Sequence, residues 1–170
     1  MFFTENWSSD AKISPCKKYR YSLTRKWSTA AELAFIMLNP STADASEDDN
    51  TIKKCCHFAK THSYGGIKVL NIFAYRATDP DELIRKAKED FDIVGPENDK
   101  ELENLFAYQP GRIVVAWGVP RHPLVAKRIV KVLDMIPSSR RLYCLGISDG
   151  GYPRHPFYLE NVSQLQLFKE

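Results

Sequence analysis

An apolar run from Leu33 to Leu38, cut off by Asn39-Pro40-Ser41-Thr42, constrains this chain more than any other stretch. Unbroken apolar character over that length fits a strand buried on both faces. Proline has a fixed φ and no N–H, so the strand must stop at Pro40. The stop leaves an amide, two hydroxyls and free backbone N–H groups at the end of a buried strand. In parallel α/β sheets, ligands bind beyond the carboxyl ends of the strands. Asn39 is therefore expected at the centre of such a site.

The rest of the chain alternates between strand and helix patterns. Residues 1–16 read as irregular. Lys18 to Trp27 alternates Tyr19, Tyr21 and Leu23 with Arg20, Ser22 and Thr24, which predicts an antiparallel strand with one wet face. A helix is predicted over 51–62, capped by Asp49 or Asn50 and ended at Gly65-Gly66. A strand over 67–70 ends at Asn71. Helices follow from Asp79-Pro80 to about Glu89 and over 97–108. Arg112 to Gly118 is a third buried strand, and Arg141 to Gly146 a fourth. Between them, 123–136 is an amphipathic helix with Val125, Ile129 and Val132 inward and Lys127, Arg128 and Lys131 outward. The tail reads as a last turn of helix. Strands alternating with helices predict a three-layer α/β/α fold. Its central, mainly parallel four-stranded sheet would carry an N-terminal antiparallel edge strand. One domain over 1–170, with its core in 33–156, is expected.

Bulk properties exclude several classes. The chain has 170 residues, 44% hydrophobic and 26% charged, as in a soluble globular protein. No apolar run approaches the roughly 20 residues of a membrane span. MFFTENWSSD lacks the basic and apolar regions of a signal peptide, so a cytoplasmic location is expected. A net charge of +3 permits a nucleic-acid partner without demanding one. Cys16, Cys55, Cys56 and Cys144 contain no CxxC pair, and they are expected reduced, with no metal and no cofactor.

Four strand ends then share one edge. They bring Asn39-Pro40-Ser41-Thr42, Asn71 with Tyr75-Arg76, Trp117-Gly118, and Gly146 with Arg154-His155-Pro156. Two amides and an imidazole make a nucleobase reader, because an amide offers one acceptor and two donors to a base edge. A histidine donor can stabilise charge on a departing base. Asn39 can hold a water but is a poor general base. Arg76 and Arg154 are candidates for a phosphate, and Trp117 for stacking on a base. Each residue also has a plain reading: a turn at Asn39-Pro40, core packing at Trp117, surface positions at Arg76 and His155. Lys17, Lys18, Arg20 and Arg154 would have to join the 127–131 cations to make a basic groove. The acidic run Glu47-Asp48-Asp49 reads as a helix N-terminus, or as part of a magnesium site.

The ordered set LNPST, VLNIFAYR, RIVVAWG and LG…HP resembles the uracil-DNA glycosylase superfamily. By that resemblance Asn39 takes the place of the water-positioning residue, with Pro40 beside it. Asn71 takes the place of the base-reading amide, and His155 that of the histidine facing the base carbonyl. Met37 stands where the superfamily motif has glycine, and Phe157 where it has serine. MLNPSTAD…DDNTIKKC…NIFAYRATDP…AWG…HP further resembles the bacterial and phage family called domain of unknown function 1643. The resemblance to the glycosylase superfamily, and not the second one, implies an N-glycosidase acting on a base in DNA or in a nucleotide. Two alternatives stand beside it: a non-catalytic base-binding module or sensor, and a magnesium-dependent nucleotide enzyme using Asp44, Asp48 and Asp49.

Overall fold

In the computed structural model, residues 8–161 and 163–169 are described. One mixed sheet contains β1 (Ser8–Ile13), β2 (Arg20–Lys26), β3 (Glu32–Met37), β4 (Gly66–Asn71), β5 (Ile113–Val115), β6 (Leu142–Cys144) and β7 (Gln166–Lys169). Their spatial order is β1-β2-β4-β3-β5-β6-β7. Neighbours among β4, β3, β5 and β6 run parallel; β1, β2 and β7 are antiparallel. The helices are α1 (Asn50–Thr61), α2 (Pro80–Lys88), α3 (Asn98–Tyr108) and α4 (Pro123–Asp134). No described helix is long and apolar enough to cross a membrane.

The run 33–38 is buried on both faces because each face has its own core. Leu33, Phe35 and Met37 pack with Ile52, Cys55 and Phe58 of α1. Ala34 and Ile36 join the opposite core, with Leu83 of α2, Leu102 and Phe106 of α3, and Ile129 of α4. This period of two follows from the pleat. The chain leaves β3 through α1 on one face and β5 through α4 on the other. The carboxyl ends of β3 and β5 thus flank the switch point where such folds hold ligands.

Several expectations need correction. The sheet has seven strands rather than four and an edge. Part of the segment expected to be irregular is β1, and the tail expected as helix contains β7; residues 1–7 lie outside the described residues. Ser63, with φ 61°, and not a glycine, takes the left-handed position after α1. The helix expected over 97–108 is α3, whose cap position is Glu97, without a side-chain cap bond.

The supposedly wet face of β2 is the largest correction. Pairing with β1 skips Tyr21 between Ser22 and Arg20, which is a β-bulge. It turns Tyr21 into the α2–α4 core, where it stacks on Tyr19. Arg20 is turned inward on the other side, 2% exposed.

Arg128 does not point to solvent either. Its Nε donates to Ile72 O at 2.7 Å and its Nη2 to Asp99 Oδ1 at 2.6 Å. Burial opposes the charge on Asp99, but the bonds from Arg128 and Lys131 outweigh it and hold the carboxyl below its ordinary value. Asn98 Nδ2 donates to Asn71 O and Ile72 O at 3.0 and 3.2 Å. The end of β4 is thus braced from α3 and α4. Replacing Arg128 by Met removes two charge-assisted bonds while keeping the stem. A loss of about 2 kcal/mol is expected in urea unfolding; a midpoint equal to wild type would show that the brace contributes nothing.

Candidate functional site at the carboxyl ends of the parallel strands

Beyond β4 the chain stays buried without being a strand. Ile72, Phe73, Ala74, Tyr75 and Ala77 are all core residues. Buried N–H groups need partners, and here three segments supply them. Ile72 and Phe73 donate to Met37 and Leu38, Ala74 and Tyr75 to Val94 and Ile93, Arg76 to Lys18, and Ala77 to Pro40.

Asn39 is half-buried at the end of β3. Its Nδ2 donates to Ala77 O at 2.7 Å and Pro40 O at 3.1 Å. Two carbonyl acceptors fix the amide orientation, so the nitrogen faces them and Oδ1 faces away. Asn39 thereby ties the loop after β3 to the loop after β4.

Asn71 ends β4 and is 1% exposed. Its Oδ1 faces Arg20 Nη2 at 3.5 Å, and its Nδ2 has no partner among the described residues. Arg20 also donates from Nη1 to Ala43 O at 2.8 Å, and its Nε is unpartnered. No carboxylate pairs with this guanidinium among the described residues. Burial pushes its pKa down to about 10, while the charge of Asp49 pulls the other way. A buried charge without a counter-ion is costly. Unpaired buried donors at such a place point to a ligand that offers acceptors.

His155 follows β6 through a loop pinned to the switch point. Gly118, at φ 79°, donates to Pro153 O at 3.0 Å, and Arg154 N donates to Gly146 O at 2.8 Å. His155 caps the 3₁₀ turn Pro156–Tyr158, its Nδ1 accepting from Phe157 N at 3.2 Å. An accepting Nδ1 leaves the proton on Nε2. Burial lowers the His155 pKa, against a smaller upward pull from Asp49, so the ring is neutral at neutral pH. Asp49 caps α1 through Ile52 N and is the carboxylate whose charge reaches both Arg20 and His155.

Arg76 lines an open pocket with Ser41, Thr42, Lys17 and Lys18, and Asn71 is not among the residues that line it. Pro40 is buried beneath this loop. Trp117 is in the α2–α4 core, edge-on to Phe168 at 6.3 Å, so it presents no face for stacking. Arg154 is exposed and lies over Gly146. Arg20 and Arg128 are buried, so they cannot join Lys127 and Lys131 in a groove.

The acidic run is committed elsewhere. Asp48 pairs with Arg25, Asp49 caps α1, and Asp44 Oδ1 accepts from Ser46 N, Ser46 Oγ and Glu47 N. Among the described residues no cluster of three or more His, Cys, Asp or Glu is placed to hold a metal ion. Cys16, Cys55, Cys56 and Cys144 are free thiols.

Sequence reasoning missed Arg20 as part of the Asn71 site. Its signal was an arginine between two tyrosines in a strand otherwise reading as half-wet; the bulge that turns it inward leaves no mark in the pattern.

Fold and site together define a mixed α/β protein with a buried arginine–amide pair at the carboxyl ends of its parallel strands. The chain belongs to the family described as Protein of unknown function (DUF1643), whose model matches residues 20–157. No curated protein and no solved structure matches it.

Proposed function

We propose that this protein recognises a nucleobase at Asn71 and cleaves its bond to the sugar, as a uracil-DNA glycosylase-like N-glycosidase. The observation that carries this proposal is the buried, unpartnered Nδ2 of Asn71 beside a guanidinium without a counter-ion. Arg20 already faces the amide oxygen, which narrows the sequence-based expectation of a donor–acceptor reader. The amide is left to donate, and the matching base edge is a carbonyl or ring nitrogen acceptor. The base would displace Ala43 O from Arg20 on entry.

The remaining roles follow from position. The Nε2–H of neutral His155 is available to a base oxygen as negative charge develops there. Asn39 Oδ1, turned away from its two carbonyl partners, is available to a water. With no carboxylate assigned to take the water's proton, rate enhancement would rest on positioning and electrostatics. The nucleic acid or nucleotide that carries the base is part of the same proposal.

One observation favours the non-catalytic alternative. The Asn39 amide nitrogen is committed to holding two loops together, so its presence is explained without chemistry. Base release from a panel of modified oligonucleotides and nucleotides separates the two. Release that is lost in Asn71→Ala is expected. Binding by calorimetry without release, lost in the same variant, would establish the module instead. Neither binding nor release from any member would overturn both.

A further inference from the structure

We infer that the pocket between the loops after β3 and β4 is a phosphate site for the same nucleotide. This extends the proposed function to the ligand's other end; only the nucleotide's identity rests on it. The pocket encloses about 390 Å³ and is lined by Lys17, Lys18, Arg76 and the hydroxyl residues Ser41, Thr42 and Thr78. No carboxylate lines it among the described residues.

The fold uses these cations lightly, the Lys18 ammonium lying 5.3 Å from the centre of the Phe91 ring. None of the three has an ion-pair partner among the described residues. Arg76 makes only long bonds, 3.4 Å to Lys17 O and 3.4 Å to Thr42 O, which leave its planar fork open to a bidentate acceptor. The three hydroxyl groups make no bond within the described residues and are free to donate. The acids next to the lining residues in sequence are occupied: Asp44 accepts from Ser46 and Glu47 in its own turn, and Asp79 caps α2 through Asp81 N.

The pocket is also built. Lys17 sits in the left-handed region at φ 61°, rare for a residue with a side chain, in a turn closed by its N–H to Ser14 O at 2.8 Å. Arg76 N to Lys18 O and Ala77 N to Pro40 O, each 2.9 Å, join the three wall segments. Asn39 reinforces the second seam. Concentrated positive charge, free hydroxyls and rigid walls at the strand ends suit a multiply charged phosphate.

Calorimetry at low salt with pyrophosphate tests the site, beside a nucleoside, the matching monophosphate and a 5′-phosphorylated oligonucleotide. Pyrophosphate is expected to bind, and Arg76→Ala and Lys17→Ala each to weaken it about tenfold or more. Each substitution should also reduce the salt slope by about one. No pyrophosphate binding, or unchanged affinity in both variants, overturns the site. Pyrophosphate binding with no gain from adding a base leaves the site standing and counts against base recognition. A nucleoside that binds as tightly as its monophosphate does the reverse. Monophosphate tighter than oligonucleotide identifies a free nucleotide as the source; the opposite order identifies a strand.

Discussion

Asn71→Asp is expected to give a more stable protein that has lost the base binding proposed above. The carboxylate would stand where Oδ1 now faces Arg20 Nη2 at 3.5 Å, and the unpartnered Nδ2 would be gone. Arg20 is already desolvated, so the substitution supplies a counter-ion to a charge whose burial is a cost of the present fold. A charge-assisted bond contributes about 1.5–3 kcal/mol, offset by burying the new carboxylate. The net gain expected is about 1–2 kcal/mol, or about 2–8 °C in Tm for a chain of this size. The introduced Asp would have a folded pKa below its unfolded value of about 4. The gain is therefore fully present above about pH 4 and is lost as pH falls through the lower, folded value. Calorimetric scans at pH 7 and pH 3 check both sign and window. A lower Tm at pH 7 would mean that the asparagine is there for the fold. A gain with loss of binding would mean that stability is given up at this position for a ligand, as functional sites commonly require.

Arg25→Ala is expected to destabilise the protein strongly although it removes a charged side chain. Its side chain is 4% exposed and pairs with Asp48, Nε and Nη2 lying 2.9 and 2.8 Å from Oδ1. Nη2 also donates to Asp44 O and, at 3.4 Å, to Glu47 O, while Nη1 donates to Thr24 O at 2.9 Å and Asp10 O at 3.4 Å. One guanidinium thus organises the 44–48 loop and reaches β1. Removing it strands several carbonyls and a carboxylate. Loss of one partner of a buried pair costs about 3–5 kcal/mol, and the 30% exposure of Asp48 argues for the lower end. About 3 kcal/mol, or about 6–12 °C in Tm, is expected. Asp48→Ala alone should cost less, because the carbonyl bonds survive. Urea unfolding of both variants and their double mutant gives the coupling. A loss under about 1 kcal/mol for Arg25→Ala would show that the loop holds itself.

The sequence revealed the elements whose two faces are both dry or sharply different. Leu33 to Leu38, Ile67 to Leu70 and the α4 stripe were readable because burial there is dictated by period. β1, with the polar sequence Ser8–Ile13, and β7, with four residues, were not. Edge strands are held by backbone bonds on one side and need no apolar alternation. Within the candidate site, Asn39, Asn71 and His155 were legible as polar residues at strand ends. The partners that define them were not: Arg20 reaches Asn71 across 51 positions of sequence. Arg128 reaches Ile72 across 56. Trp117 at a strand end admits both core packing and stacking on a base, and the contact that goes with the core position, Phe168, lies in a tail that reads as a turn of helix.

A pleated strand sorts its side chains by odd and even position, so Arg20 and Arg25, an odd interval apart, belong on opposite faces of a regular β2. The bulge at Tyr21 changes that parity once, between them. Both arginines then reach over the same side, one gripping Ala43 and the other Asp44, Glu47 and Asp48. One extra residue gives a single strand two handles on one loop, so that the segment from Ala43 to Asp48 is held from β2 at both of its ends.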